Sequence, residues 1–99
     1  MTSESSFEWD PNKADSNLRK HGIRFEVSVK VFVDPDRKTI PDLRFDYHEE
    51  RFNVYGYIDD RLYAVVVARD LELTTLRIIS ARRANARERK RYGYREIHH

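Results

Sequence analysis

The chain is 99 residues long, 36% charged, 39% hydrophobic and 12% aromatic, with 19 basic and 17 acidic side chains and no cysteine. That is one domain's worth of chain with a modest core, too rich in aromatic and β-branched residues for a disordered segment. No apolar run approaches the roughly 18 residues of a membrane-spanning helix, and the lack of cysteine excludes a disulfide scaffold or a thiolate zinc site.

Residues 1–6 are polar and acidic, without the basic and apolar segments of a secretory signal, and read as a frayed tail. Phe7-Glu8-Trp9 has the makings of a short strand. Asp10-Pro11 marks a helix start, an acidic cap followed by a proline whose missing N–H costs nothing there. The helix is expected to run to His21, with Ala14, Leu18 and His21 on one side, and to stop at Gly22, which takes φ > 0 freely. The stretch Ile23 to Val33 carries two patterns. Ile23, Phe25, Val27, Val29, Val31 and Val33 alternate with Arg24, Glu26, Ser28 and Lys30 as in a strand, whereas Phe25, Val29, Phe32 and Val33 have helical spacing. Alternation and β-branching favour the strand, and Asp34-Pro35-Asp36 makes a turn in either case.

Thr39-Ile40 reads as another short strand, and Arg51 to Ile58, Leu62 to Arg69 and Thr75 to Ala81 as three clear ones. Asp59-Asp60 joins the first two of these as a tight hairpin and Asp70 to Thr74 joins the next pair, an antiparallel meander. Asn85-Ala86-Arg87-Glu88 has the form of a capping box, so a last helix starts near Ala86. His98-His99 read as the stub of a purification tag, which leaves residues 7–97 as a single domain.

The net charge of +2 is unevenly spread. Residues 77–99 hold eight basic side chains against two acidic ones, a net of +6, while residues 1–76 hold 11 basic and 15 acidic, a net of −4. A cationic end on a mildly anionic body points to a polyanionic partner, nucleic acid most often; the alternative is a solvated helix rich in arginine. Alternation along the strands separates Phe52, Val54, Ile58, Leu76 and Ile78 from Arg51, Asn53, Tyr55, Tyr57 and Arg77. In the middle strand Tyr63, Val65, Val67 and Arg69 share one side. Placing Tyr63 and Arg69 with the polar set is the natural choice, and it depends on register. A sheet with an apolar face for the helices and an Arg/Tyr/Asn face results. Arginine with tyrosine suits nucleic acid, because the guanidinium fork pairs with phosphate oxygens and aromatic rings stack on unpaired bases. Tyrosines that suit strands, covered by neighbouring arginines, are the structural alternative.

Other chemistries have little support. His48-Glu49-Glu50 lacks the second histidine of a metalloprotease helix, Gly22, Gly56 and Gly93 are isolated, and no serine sits in a nucleophile elbow. No metal or cofactor is expected. His48, near Glu50 and Arg51, is either an acid–base group or a solvent-exposed turn histidine.

Phe-Glu-Trp-Asp at 7–10, Asn12-Lys13, Asn17-Leu18, Lys20-His21-Gly22-Ile23 and Phe25-Glu26 resemble the opening of the BrnT family. Val31-Phe32 with Asp34-Pro35, Glu49-Glu50-Arg51-Phe52, Gly56, the run from Arg77 through Ile78-Ile79-Ser80-Ala81-Arg82-Arg83 to Ala84, Glu88-Arg89 and Tyr92 extend the resemblance over residues 7–92. It implies a RelE-like α+β fold: an antiparallel sheet of three to four main strands, two N-terminal helices on one face and a C-terminal basic helix. On this ground residues 25–33 are expected to be helical, against their alternation. It implies further a cytoplasmic ribonuclease toxin of a type II toxin–antitoxin system, which cleaves RNA, free or on the ribosome, and inhibits translation. The implied partner is a BrnA-like antitoxin with a ribbon-helix-helix domain, through which the pair binds operator DNA and represses its own operon.

Metal-free RNA cleavage to a 2′,3′-cyclic phosphate needs a base for the 2′-OH, cations for the phosphate and an acid for the leaving oxygen. Arg69, Arg77 and Arg82 are the expected phosphate clamp, with Arg51 flanking. Glu50 or His48 is the acid–base candidate, Tyr55 or Tyr63 the base-stacking ring, and Arg83 a further RNA-binding cation. The chain departs from the family at Phe45, where many members have histidine, and at Ala68, where many have an acid. The alternative function is therefore a catalytically degenerate homologue, an antitoxin-binding co-repressor or an RNA-binding protein.

Overall fold

The computed structural model describes residues 7–43, 49–70 and 75–95. Asp10 caps α1 (Pro11–His21), its carboxylate accepting the Asn12 N–H at 2.8 Å, with Pro11 in the first turn. Gly22 ends the helix at φ 72 and donates its N–H to the Leu18 carbonyl at 2.9 Å. The chain then makes a one-turn helix, α2 (Phe25–Ser28), which tightens into a 3₁₀ turn at Val29–Val33. Phe25, Ser28 and Val31 are fully buried, three residues apart, as a 3₁₀ repeat requires. The segment is thus helical, as the family resemblance implied and the alternation did not. Ser28 donates its hydroxyl to the Phe25 carbonyl at 2.8 Å, which lets a polar side chain sit in the buried stripe.

Five strands, β1 (Phe7–Glu8), β2 (Lys38–Pro41), β3 (Glu49–Ile58), β4 (Arg61–Asp70) and β5 (Leu76–Arg83), form one sheet in the order β1-β5-β4-β3-β2. The α+β class stands, but the expected antiparallel sheet of three to four strands is a mixed sheet of five. β1 adds to β5 in parallel, Phe7 opposite Leu76, whereas all other neighbours are antiparallel. Aromatic packing holds β1 in place: Phe7 lies 5.0 Å from Phe32 between ring centroids, and Trp9 meets Phe25 edge-on at 5.9 Å.

Ile23, Phe25, Val31, Val54, Val65, Val67, Ile78 and Ala81 form the main core, between the N-terminal helices and one face of the sheet. Gly56 lies under the 3₁₀ turn, where a Cβ would stand 2.9 Å from the Val31 Cβ; only glycine lets β3 approach so closely. β3 and β4 are closed by Asp59-Asp60, with Asp59 at φ 57, a conformation aspartate tolerates.

β5 contains one residue more than its partner. Val66 pairs with Ser80 and Val67 with Ile78, so Ile79 has no counterpart in β4. Beyond Arg77 no strand among the described residues lies beside the outer edge of β5. There Asn17, 6% exposed, donates from Nδ2 to the Ala81 carbonyl at 2.8 Å and accepts the Ala81 N–H at 3.0 Å, as a neighbouring strand would. The same amide reaches the Ile23 carbonyl at 3.2 Å. Of the α1 residues expected on one side, Ala14 and Leu18 are half-buried and His21 is exposed; the buried residue of the helix is Asn17.

The capping box that starts α3 (Ala86–Tyr92) is complete. Glu88 N–H donates to Asn85 Oδ1 and Asn85 N–H to Glu88 Oε1, both at 2.9 Å.

Asn17→Leu fills the same space but strips both backbone groups of Ala81 of their partner. The expected loss is about 3 kcal/mol in urea unfolding with an unchanged m value. A loss below about 0.5 kcal/mol would show that water replaces the amide and that the clamp is dispensable.

Candidate functional site

Directly opposed residues of an antiparallel pair share a face. Phe52 opposes Val67, Val54 opposes Val65, Gly56 opposes Tyr63 and Glu50 opposes Arg69, so all of these lie on the helix side of the sheet. The assignment of Tyr63 and Arg69 to the polar face is thereby corrected. Tyr63 packs against the main core, and Arg69 pairs with Glu50 at 2.7 Å with its guanidinium 5.5 Å from the Phe52 ring centre. Arg83, opposite Tyr63, is exposed on that side as well. His48 and Phe45 lie outside the described residues.

The other face is built in three cross-strand rows. Arg51, Ala68 and Arg77 form one, Asn53, Val66 and Ser80 the next, and Tyr55, Ala64 and Arg82 the third. The small residues of β4 make a floor, flanked by polar side chains of β3 and β5. Four residues of β4 separate the outer rows, about 13 Å at the usual strand rise. The extra residue Ile79 is what brings Arg77 and Arg82 to the same face, since strict alternation would set them on opposite sides.

A carboxylate holds the arginines at each end. Glu49 accepts Arg77 Nη2 at 2.9 Å on Oε1 and 2.8 Å on Oε2, and Arg51 Nη2 at 3.5 Å on Oε1. At the other end Arg82 places Nη1 on Glu88 Oε1 at 2.7 Å and Nη2 on Oε2 at 2.8 Å, a fork-to-fork pair. Tyr55 OH donates to Glu88 Oε2 at 3.3 Å, and the Tyr92 ring stacks on Tyr55 with centroids 4.2 Å apart. Tyr55, Leu62, Ala64 and Ala84 thus make a second, smaller core beneath α3. The Arg82 hydrogen bonds hold the Glu88 carboxyl down to about 2 against its burial, helped by the Asn85 N–H. Burial, and then the Glu88 charge, push the Tyr55 phenol up, so Tyr55 keeps its proton at neutral pH and is no base.

Of the sequence-derived site residues, Arg51, Arg77, Arg82 and Tyr55 share this face, whereas Glu50, Arg69, Tyr63 and Arg83 lie on the other. Glu49 and Glu88 are the additions. The expected strand began at Arg51, whereas β3 begins at Glu49, and that extension is what sets Glu49 on the face of Arg51; Glu88 showed only as a helix cap. Among the described residues no three histidine or carboxylate side chains converge as a metal site would need, and no helix is long and apolar enough to cross a membrane.

Because the Glu88 carboxyl is held below its ordinary value, its stabilising effect is complete above about 4.5 and is lost as the pH falls toward about 2. The wild-type protein should therefore lose more stability than Glu88→Gln between pH 5 and pH 2.5, read as the shift in urea midpoint. Equal shifts in the two proteins would show that the Arg82–Glu88 pair does not hold α3.

The family model described as the ribonuclease toxin, BrnT, of type II toxin–antitoxin systems matches residues 9–88. No curated protein matches the chain. The matched span begins at Trp9, just ahead of α1, and ends at Glu88 in α3, so it takes in both arginine clusters and the strands that carry them. The chain therefore belongs to the BrnT family, the ribonuclease toxins of type II toxin–antitoxin systems.

Proposed function

We propose that the chain is an endoribonuclease of RelE-like fold that cleaves RNA without a metal, on the face carrying Arg51, Arg77, Arg82 and Tyr55. The observation that carries the reading is the convergence of three arginines on one side of the sheet, made possible by the bulge at Ile79. In the reaction a ribose 2′-oxygen bonds to the adjacent phosphorus and the 5′-oxygen leaves, giving a 2′,3′-cyclic phosphate and a 5′-hydroxyl. Charge develops on the phosphate oxygens, and guanidinium groups placed beforehand stabilise it. Arg77 engages Glu49 through Nη2 alone, so its other N–H groups serve the phosphate, with Arg51 beside it. Arg82, with both terminal nitrogens on Glu88, first anchors α3 and meets a phosphate by sharing that carboxylate.

Ala68, the position where the family pattern has an acid, lies between Arg51 and Arg77, and Glu49 supplies a carboxylate to both arginines. Glu49 takes the 2′-OH proton, and His48, its neighbour in the chain, protonates the leaving oxygen. Tyr55 is buried under the Tyr92 ring, so the half-exposed Tyr92, stacked on it beside α3, is the ring left for a base. Glu50, Arg69, Tyr63 and Arg83 then act from the opposite side of the sheet, as rim contacts at most. In the cytoplasm the activity inhibits translation. A BrnA-like antitoxin with a ribbon-helix-helix domain neutralises it, and the complex binds operator DNA and represses its operon. The exposed cations of α3 suit an acidic segment of such a partner.

Induced expression tests the reading. The wild-type protein should arrest growth and leave new RNA ends, and Arg77→Ala and Glu49→Gln should each lower cleavage by about 10²–10³. Arg77 and Glu49 form a partly exposed pair, so both variants should melt within about 3 °C of wild type. Full cleavage by either variant sinks the site. A wild-type protein that leaves no new ends yet co-purifies with antitoxin sinks the enzymatic reading in favour of a degenerate homologue.

A further inference from the structure

We propose that the recess between α1 and the bulged edge of β5 is a second phosphate site, which grips the backbone of single-stranded RNA beside the cleavage face. This rests on the reading of that face as RNA-binding.

α1 turns a polar stripe toward β5. Lys13, Ser16, Asn17, Lys20 and His21 recur at i, i+3, i+4, i+7 and i+8, the spacing a core-facing helix normally gives to apolar side chains. Asn17 is accounted for by its grip on Ala81. The rest of the stripe is exposed, and among the described residues Lys13, Lys20 and His21 have no side-chain hydrogen bond or ion pair. Within the run Lys20-His21-Gly22-Ile23, Gly22 ends the helix and Ile23 enters the core, while Lys20 and His21 lie exposed in the last turn, where a cation suits the helix dipole and leaves its side chain open to a ligand.

These side chains line a recess of about 180 Å³ together with Ile79 and Ser80. That is about the volume of six water molecules, enough for a hydrated phosphate group. No carboxylate lines it. Asp15, two residues from Lys13, projects from the far side of the helix.

The position of the recess selects its ligand. Ser80 lies in the middle row of the charged face, between Arg77 and Arg82, and it also lines the recess. β1 pairs with β5 only as far as Arg77, so among the described residues no strand stands between the recess and the face at the edge of β5. A nucleic-acid strand leaving the floor over Ala68 and Val66 and crossing β5 brings its next phosphates to Lys20, His21 and Lys13. Ammonium and imidazole groups at the rim of a small hollow suit a compact oxyanion. A backbone repeats its phosphates whatever its bases, so the site strengthens binding without adding sequence preference.

The test uses a short single-stranded oligoribonucleotide carrying 2′-O-methyl groups, which cannot be cut, titrated against the full chain over a range of salt. Lys13→Ala with Lys20→Ala should weaken binding about tenfold and flatten the plot of log K against log salt by about 0.7 for each phosphate no longer neutralised. Arg37→Ala with Arg61→Ala, an equal loss of charge elsewhere on the surface, should change affinity less than about twofold. Equal weakening in both pairs, an unchanged affinity and slope in the lysine pair, or lost antitoxin binding with RNA affinity intact would each overturn the site. So would a wild-type protein that does not bind the oligonucleotide. Binding of that probe without new ends in natural RNA would instead overturn the cleavage reading and leave the recess standing.

Discussion

Between Arg77 and Arg82 the outer edge of β5 passes from one support to another. β1 pairs with it as far as Arg77, and a side-chain amide from α1 then takes both backbone groups of Ala81. A buried N–H or carbonyl without a partner costs about 1–3 kcal/mol, so a two-residue β1 is affordable only because Asn17 completes the edge. The gap between the supports holds Ile79, the residue without a counterpart in β4. A continuous strand beside β5 would have pressed it into regular alternation. With the edge held at two points, the strand carries its bulge, and the bulge sets both arginines on the open face. The same gap leaves the recess beside Ser80 uncovered.

Glu88 ties the other end together. One carboxylate accepts the Asn85 N–H that begins α3, both terminal nitrogens of Arg82, and the Tyr55 hydroxyl. A basic helix is thus docked through an acid, and the cationic end of the chain is less uniform than its charge suggests. Arg82 and Arg77 are each matched by a glutamate. Arg89 donates to the Ala84 carbonyl, and Arg95 lies 3.4 Å over the Tyr57 ring while donating to the Asp59 carbonyl. Arg87, Lys90 and Arg91 remain exposed on α3. The concentration of charge in residues 77–99 therefore divides into a matched part that builds the face and a solvated part free to meet a partner.

Local chemistry made much of this legible in the sequence. Asp10-Pro11 and Gly22 bracket α1, the Asn85–Glu88 spacing places α3, and Asp59-Asp60 marks the hairpin, because each is settled by backbone groups within a few residues. The segment after Gly22 misleads for a specific reason. Its buried residues repeat every third position, and the middle one is Ser28, so a hydrophobicity pattern sees only the valines that alternate around it. The hydroxyl's bond to the Phe25 carbonyl, invisible to any pattern, is what makes serine admissible there. The parallel pairing of β1 was hidden for another reason. Two residues carry no period, and their place is decided by aromatic contacts with a helix that is more than ten positions away.

The faces of the sheet show where reading a sequence strand by strand stops and reading connections begins. Alternation sorts one strand into two sides but does not say which side of the next strand matches. For β3 and β4 the missing information was present: a two-residue turn that pairs Ile58 with Arg61 sets even positions of the first against odd positions of the second. Val54 must then face the way Val65 does, and Tyr63 and Arg69 follow Val65 to the helix side. For β5 no such rule was available, since one unpaired residue changes the parity halfway along. Leu76 and Ile78 lie on the core side by even number, Ala81 by odd. The Arg-Ile-Ile-Ser-Ala-Arg run therefore holds its two arginines five positions apart yet on one face. That spacing reads as a contradiction until Ile79 is taken out of the count.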